Sequence, residues 1–309
     1  MIVDVGANFG EFAIEMAKRN PNQLVIAIEP IPDLCMKINT KISTENISNI
    51  KVLQYAIDTI ERIDYLNVAS HHDWGVSSLL EFDESKIKEN EYWKTRSDMY
   101  FDTKIEVEVK KLESIFDYLS LEEQIDFIKI DAQGLDFNVL KSVGKYISFI
   151  EAGMIEVSVS TKLGLYENEN YALIDILNWL EENELESYAL KPNDPASNEF
   201  NLYFCKKGIN HHDIESLLNL KNMHLYDGKF YWHHPSNKLE NIDSDFNNLK
   251  IDLQRHIDLV HQRDEVIDNL KIDLQRHIDL VQKFQSGVLY RIKRKIVNLL
   301  NELKYRSKK

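Results

Sequence analysis

An apolar run that passes through a glycine turn straight into an amphipathic helix constrains this chain more than any other feature. Val3-Asp4-Val5-Gly6-Ala7-Asn8-Phe9-Gly10-Glu11-Phe12 has that form, and Phe9, Phe12, Ala13, Met16 and Ala17 continue it at helical spacing up to Asn20-Pro21. In open α/β sheets, ligands bind at the carboxyl ends of the strands, beside turns of this kind. A dinucleotide fingerprint would need a middle glycine where Asn8 stands, so the spacing of Gly6 and Gly10 disfavours a nicotinamide cofactor. The next apolar run ends Ala27-Ile28-Glu29-Pro30, and an acidic residue there can accept hydrogen bonds from two ribose hydroxyls. An adenosine-bearing ligand without a diphosphate fits this pair of signals best.

The same alternation of apolar runs and helical patterns continues to about residue 207 and predicts an α/β domain over 1–207. Strands are expected at Ile2 to Val5, Leu24 to Ile28, Ile50 to Ala56, Ile125 to Ile130 and Phe149 to Val157, with late ones near Ser187 to Leu190 and Asn201 to Cys205. Phe137, Leu140 and Val143 form a further helical face that stops at Gly144. Residues 57–124 interrupt the rhythm with an alternating Ile105 to Val109 and a helix-like stretch around Tyr92, as an insertion or substrate cover would.

At this point the chain resembles a known family. DVGANFG, AIEP and IDFIKIDAQGLDFNVLKS, with the later Ile155-Glu156-Val157-Ser158, closely match the FkbM-like methyltransferases over roughly residues 2–206. The resemblance implies a Rossmann-like class I methyltransferase fold, a mostly parallel seven-stranded sheet whose final strand is antiparallel. It implies S-adenosylmethionine as cofactor and methyl transfer to a hydroxyl, here expected on a sugar of a surface glycan or lipopolysaccharide. Carried over by position, Asp4, Gly6, Asn8 and Gly10 would surround the methionine part of the cofactor and Glu29 its ribose. Gln54 and Ala56 would lie near the adenine, and Asp131 near the transferred methyl. Gln133 stands where many relatives have Glu, and relatives usually carry residues ahead of the first cofactor strand that help close the site. A competing expectation is therefore a catalytically degenerate methyltransferase fold that serves as a scaffold.

Methyl transfer from a sulfonium is a direct displacement, so it needs alignment and a base for the hydroxyl proton but no covalent nucleophile. The candidates are Asp131, Glu156 and His72, the last within His71-His72-Asp73 ahead of a Gly75-Val76-Ser77-Ser78-Leu79 segment that resembles the family's flexible Gly-Ser stretch. A carboxylate such as Glu156 inside an apolar strand is costly unless it is paired or functional. Lys129 is expected to reach a local carboxylate, and Tyr166 is a candidate for the acceptor pocket. The histidine pairs His71-His72, His211-His212 and His233-His234 lack metal-site spacing, so no metal is expected.

Residues 208–240 read as a linker with a short helix, and 241–285 as a coiled coil. Asn248 to Val260 and Asn269 to Val281 both spell NLKIDLQRHIDLV, an offset of 21 residues and hence whole heptads. One core series is apolar throughout (Phe246, Leu253, Val260, Ile267, Leu274, Val281, Val288), whereas the other places His256, Arg263 and His277 among apolar residues, a pattern that fixes register. This predicts a homo-oligomer, dimer or trimer. The tail, 286–309, carries eight basic residues against Glu302 alone, although the chain as a whole has a net charge of −14. Its apolar stripe suits either a continuing helix or one lying on an anionic membrane. The acidic remainder argues against nucleic-acid binding. Cys35 and Cys205 lie far apart in apolar segments, and no run is long enough to span a bilayer, which together point to a cytoplasmic protein, peripheral at most on the membrane's inner face.

Overall fold

The computed structural model describes residues 1–70, 74–89, 100–162, 164–168, 170–194 and 199–227, with isolated helical positions between Lys271 and Asn298. Met1 to Asp227 belong to one compact unit, and the C-terminal segment is counted as another. The 21-residue repeat, the basic tail, His72 and the stretch around Tyr92 lie outside the described residues, apart from those isolated positions.

Seven strands form the main sheet: β1 (Ile2–Val5), β2 (Val25–Ile28), β3 (Ile50–Leu53), β7 (Phe127–Ile130), β8 (Ala152–Ser158), β9 (Leu185–Asp194) and β10 (Glu199–Lys206). Their order is β3-β2-β1-β7-β8-β10-β9, with β10 antiparallel to both of its neighbours. This is the mostly parallel seven-stranded sheet with an antiparallel last strand that the resemblance implies, and its order reverses between β1 and β7. Strands buried on both faces read as continuous apolar runs, which is why Ile2–Val5 and Phe127–Ile130 are buried at every position.

Side-chain alternation divides the core between the two faces. Val3, Val5, Ile128 and Ile130 point to one face, against α4 (Leu112–Tyr118), α5 (Asp136–Lys141) and α6 (Leu173–Glu182). Ile2, Ala27, Phe127 and Met154 point to the other, against α1 (Glu11–Arg19), α2 (Pro32–Thr44) and α7 (His211–Leu217). Asp4 and Lys129 belong to the second face, and the parallel register sets them directly side by side.

Three expectations need correction. The run from Ile50 to Ala56 is not one strand: β3 stops at Leu53, and β4 (Ala56–Ile57) pairs instead with β6 (Thr103–Lys110). The interrupting region is built around this second sheet, ordered β4-β6-β5 with β5 at Arg62–Val68, and Val107 and Val109 of the alternating segment supply its buried face. Phe9 is not part of the helical core face; it precedes α1 and is 41% exposed. Residues 208–227 are not a linker, because Ile214, Leu218, Leu220, Met223 and Tyr226 bury themselves against the sheet, with α8 at His224–Asp227.

Candidate functional site

At the switch point, the turns after β1 and β7 meet. Gly6 has φ 74°, and a Cβ on it would lie 1.8 Å from the Asp131 carbonyl oxygen, so only glycine lets the two turns approach this closely. The Gly6 and Ala7 amides both donate to the Ile28 carbonyl at 3.0 Å, and the Asp131 amide donates to the Val5 carbonyl at 3.1 Å. Three strand ends are thereby held together around a cavity of about 160 Å³, lined among others by Gly6, Asn8, Glu29, Ala56, Asp131 and Gln133.

Glu29 is the best-defined wall of that cavity. Its Oε2 accepts from the Asn8 amide at 2.8 Å and its Oε1 from the Ile31 amide at 2.9 Å. Burial pushes its pKa up to about 7 despite those hydrogen bonds. Asn8 itself sits at φ 51°, and its side-chain Oδ1 is shut off from solvent with no hydrogen-bond donor among the described residues.

Behind the cavity lies a buried charge chain. Lys129 Nζ is 3.3 Å from Asp4 Oδ1 and 3.3 Å from Asp131 Oδ2, and it donates to the Gly6 carbonyl at 3.5 Å. Burial alone would lower the lysine's pKa, but the charges of Asp131 and Asp4 outweigh it and raise it. Burial raises that of Asp4, with Lys129 opposing. The ammonium therefore stays charged and ties the ends of β1 and β7 to each other.

The other side of Asp131 is built from side chains. Gln133, at φ 51°, donates from Nε2 to Asp131 Oδ1 at 2.8 Å and to Glu156 Oε2 at 3.1 Å. Its Oε1 accepts from the Tyr166 hydroxyl at 2.8 Å, and that hydroxyl also lies 2.9 Å from the Val76 carbonyl. Asn193 donates to the remaining oxygen of Glu156. Burial raises the Glu156 pKa well above the usual carboxylate range, and the charges of Asp131, Glu199 and Asp136 add to it. Asp136, raised to about 7 by burial and by Asp131, has both oxygens engaged by the Ala132 and Gly134 amides at 2.6 and 3.0 Å.

The sequence-derived site residues fall into three groups. Gly6, Asn8, Glu29, Ala56 and Asp131 line the cavity, whereas Asp4 lies fully buried behind it and Gly10 packs against Ile38. Gln54 is corrected: it is exposed beyond the end of β3, and Tyr55, Ala56 and Ile57 form that wall instead. Glu156 is absent from the lining of this cavity and lines a second depression with Gly134, Asp136, Tyr166, Tyr171 and Glu199. Lys129 reaches two carboxylates rather than one. Trp74 and Ser78 are wall residues beyond the expected set, with the Gly75-to-Leu79 segment a signal for Ser78 alone, and Gln133, which the sequence marks only as a departure from Glu, is a wall residue too.

A family model described as the Methyltransferase FkbM domain matches residues 4–188. The chain belongs to the FkbM methyltransferase family. Among named relatives of this FkbM protein, Methyltransferase sdnD of Sordaria araneosa is 28% identical over 160 residues, covering 46% of this chain and 60% of that one. Methyltransferase 1 of Beauveria bassiana is 20% identical over 143 residues, covering 46% of this chain and 57% of its own length. The chain thus spans under two thirds of the length of either relative. Among solved structures, magnesium protoporphyrin IX methyltransferase from Synechocystis PCC 6803 with bound SAH overlaps at a TM-score of 0.38 with 10% identity, covering 67% of this chain and 74% of that one. An rRNA methylase from Streptococcus thermophilus overlaps at 0.35 with 14% identity, covering 66% and 85%.

The residues present fit S-adenosylmethionine. That cofactor needs an acceptor for its ribose hydroxyls, which the amide-held Glu29 carboxylate offers, and an acceptor for its amine, which the undonated Asn8 Oδ1 offers. Tyr55, Ala56 and Ile57 supply an apolar wall suited to adenine.

Proposed function

We propose that the protein is an S-adenosylmethionine-dependent O-methyltransferase in which Asp131 takes the proton of the acceptor hydroxyl. The observation that carries this reading is the placement of Asp131 in the cavity wall, its two oxygens engaged separately by Lys129 and Gln133. S-adenosylmethionine supplies an electrophilic methyl group. Glu29 and Asn8 bind and orient it, and Lys129 Nζ, 3.3 Å from Asp131 Oδ2, holds that carboxylate in the cavity wall, where it is placed to take the proton. Glu156 does not line that cavity, and the Gln133 amide links it to Asp131.

A hydroxyl on a sugar of a surface glycan or lipopolysaccharide is the acceptor we favour. What supports a carbohydrate is the second depression, where Glu199 and Tyr171 keep exposed surface: carboxylates accept from hydroxyls, and aromatic faces pack against the CH side of a sugar ring. The core repeat supports a homo-oligomer, and the basic tail supports peripheral contact with an anionic inner membrane face in the cytoplasm.

Calorimetry of the full chain with S-adenosylmethionine and S-adenosylhomocysteine tests the enzyme reading, with micromolar binding lost in Glu29→Ala as the expected result. A folded chain that binds neither would sink it in favour of a scaffold. Transfer of labelled methyl to glycan acceptors tests the sugar. Sedimentation of the full chain against a variant with Leu253→Asp and Leu274→Asp tests self-association, and flotation with anionic vesicles tests the tail; equal sedimentation or no flotation removes the corresponding proposal.

A further inference from the structure

Asp131, Asp136 and Glu156 each present an oxygen within 4.8 Å of the others, an arrangement of carboxylates that elsewhere holds a cation. Asp136 is committed to the Ala132 and Gly134 amides. Between the other two stands the amide of Gln133, with one nitrogen reaching both Asp131 Oδ1 and Glu156 Oε2. Two hydrogens on that nitrogen match two carboxyl oxygens.

The side chain has little freedom to do anything else. Its own carbonyl oxygen accepts from Tyr166, and its backbone carbonyl accepts from Ser78 Oγ at 2.7 Å. The next residue, Gly134 at φ 90°, lies so close to the Tyr166 ring that a Cβ there would come within 2.8 Å of it. The nearest ammonium, Lys129, approaches Asp131 through its other oxygen and is shared with Asp4. Glu156, from β8, faces Asp131 of the β7–α5 turn, Asp136 at the start of α5, Glu199 of β10 and the neutral Asn193 amide of β9, and among the described residues it accepts hydrogen bonds from amides alone.

We propose that Gln133 is a positioning residue whose amide stands between Asp131 and Glu156 in the place of a cation, holding Asp131 toward the donor cavity. The role of Asp131 rests on the methyl-transfer reading, whereas the bridge itself does not. An amide placed there needs no metal to balance it, and an acid would. A glutamate at 133 would put a third carboxyl among the other two, so its pKa would rise. Its protonated form, which has the shape of the amide, would then be the one the fold accepts. A raised folded-state pKa means that the cost is absent at low pH and grows as pH rises.

The test is Gln133→Glu in the full chain, read by thermal melting and by S-adenosylhomocysteine binding at about pH 8 and about pH 5, with and without millimolar Mg²⁺ or Ca²⁺. At the higher pH the variant should melt lower than wild type and bind about tenfold more weakly. Lowering the pH, or adding the cation, should restore both, and wild type should respond to neither cation. If Gln133→Glu does not fold, the double variant Asp131→Asn with Gln133→Glu, which has the wild-type charge, should fold and ignore the cation. The bridge is overturned by a Gln133→Glu variant that matches wild type at the higher pH with and without cation. It is equally overturned by a wild-type melting rise with Mg²⁺ or Ca²⁺ that Asp131→Asn removes, or by a double variant that also fails to fold. Wild type that binds no S-adenosylhomocysteine sinks the donor reading instead, and the melting measurements still decide the bridge.

Discussion

Glu29 and Glu156 are both almost closed to solvent, at 4% and 7% exposure, yet they are held in different ways. Glu29 is gripped by main-chain amides of Asn8 and Ile31, and Glu156 by the side-chain amides of Gln133 and Asn193. The donor side of the site is therefore a property of backbone turns, and the far side a property of particular side chains from separate elements. A backbone-built site is damaged most by whatever displaces the turn; a side-chain-built one is damaged by changing the chemistry of one group.

The largest effect should come from Gly6→Ala. The substitution combines a φ of 74° with a Cβ 1.8 Å from the Asp131 carbonyl oxygen, and nothing flexible can give way there. We expect a loss of about 4 kcal/mol of stability and of detectable cofactor binding, since the clash falls on the turn itself. A Gly6→Ala chain that melts within a few degrees of wild type would show that the turns are not in contact.

Glu29 separates binding from stability through pH. Its pKa lies near about 7 in the fold, above the ordinary 4.5, so ionising it within the folded protein is unfavourable. The sign follows: this residue's contribution is intact below its unfolded pKa and declines by on the order of 3 kcal/mol as pH rises to about 7. Ribose hydroxyls donate to the ionised form, so S-adenosylmethionine affinity should fall about tenfold per unit as pH drops below about 7. Glu29→Gln should remove that dependence and weaken binding about a hundredfold. Affinity flat from pH 5 to about 8 in wild type would contradict the assignment of Glu29 to the ribose.

How much of this could be read beforehand follows the same division. Val3 to Phe12 announces its turn and helix through apolar spacing and two glycines, and Glu29 stands out at the end of the next apolar run, Ala27 to Pro30. The end of β3 was not, because Ile50 to Ala56 is uniformly compatible with one strand; the switch of Ala56 to a partner in β6, more than fifty residues on, is a tertiary choice. The network around Gln133 was invisible for a related reason. Its partners Glu156, Tyr166 and Val76 come from elements whose proximity is decided by sheet order and by the second sheet, and no local period records that. The docking of residues 208–227 also escaped notice, since a short amphipathic helix next to a polar stretch reads as a connection until a sheet face is there to cover.

Glu156→Gln should sharpen the contrast with Glu29. The uncharged isostere abolishes a burial cost, so the variant should melt higher than wild type at about pH 8 and close to it at low pH, where wild-type Glu156 is protonated. S-adenosylhomocysteine binding should stay unchanged, because Glu156 does not line the donor cavity. A loss of stability at every pH would mean instead that the ionised carboxylate is what its two amide donors require.

The smallest effect is expected at Tyr166, where one hydroxyl stands within hydrogen-bond distance of both Val76 O and Gln133 Oε1. A single O–H donates fully to one acceptor at a time, so Tyr166→Phe removes about one hydrogen bond's worth of stability, roughly 1 kcal/mol. The ring stays packed against Gly134 and Phe82, whose centroid lies 5.5 Å away. What changes is the orientation of the Gln133 amide, which loses the donor that tells its oxygen from its nitrogen. If the side-chain-built half depends on that distinction, Tyr166→Phe should lower methyl transfer far more than melting temperature while leaving S-adenosylmethionine affinity intact. Equal small losses in all three would make Tyr166 a packing residue and place the orientation of Gln133 wholly with its two carboxyl partners.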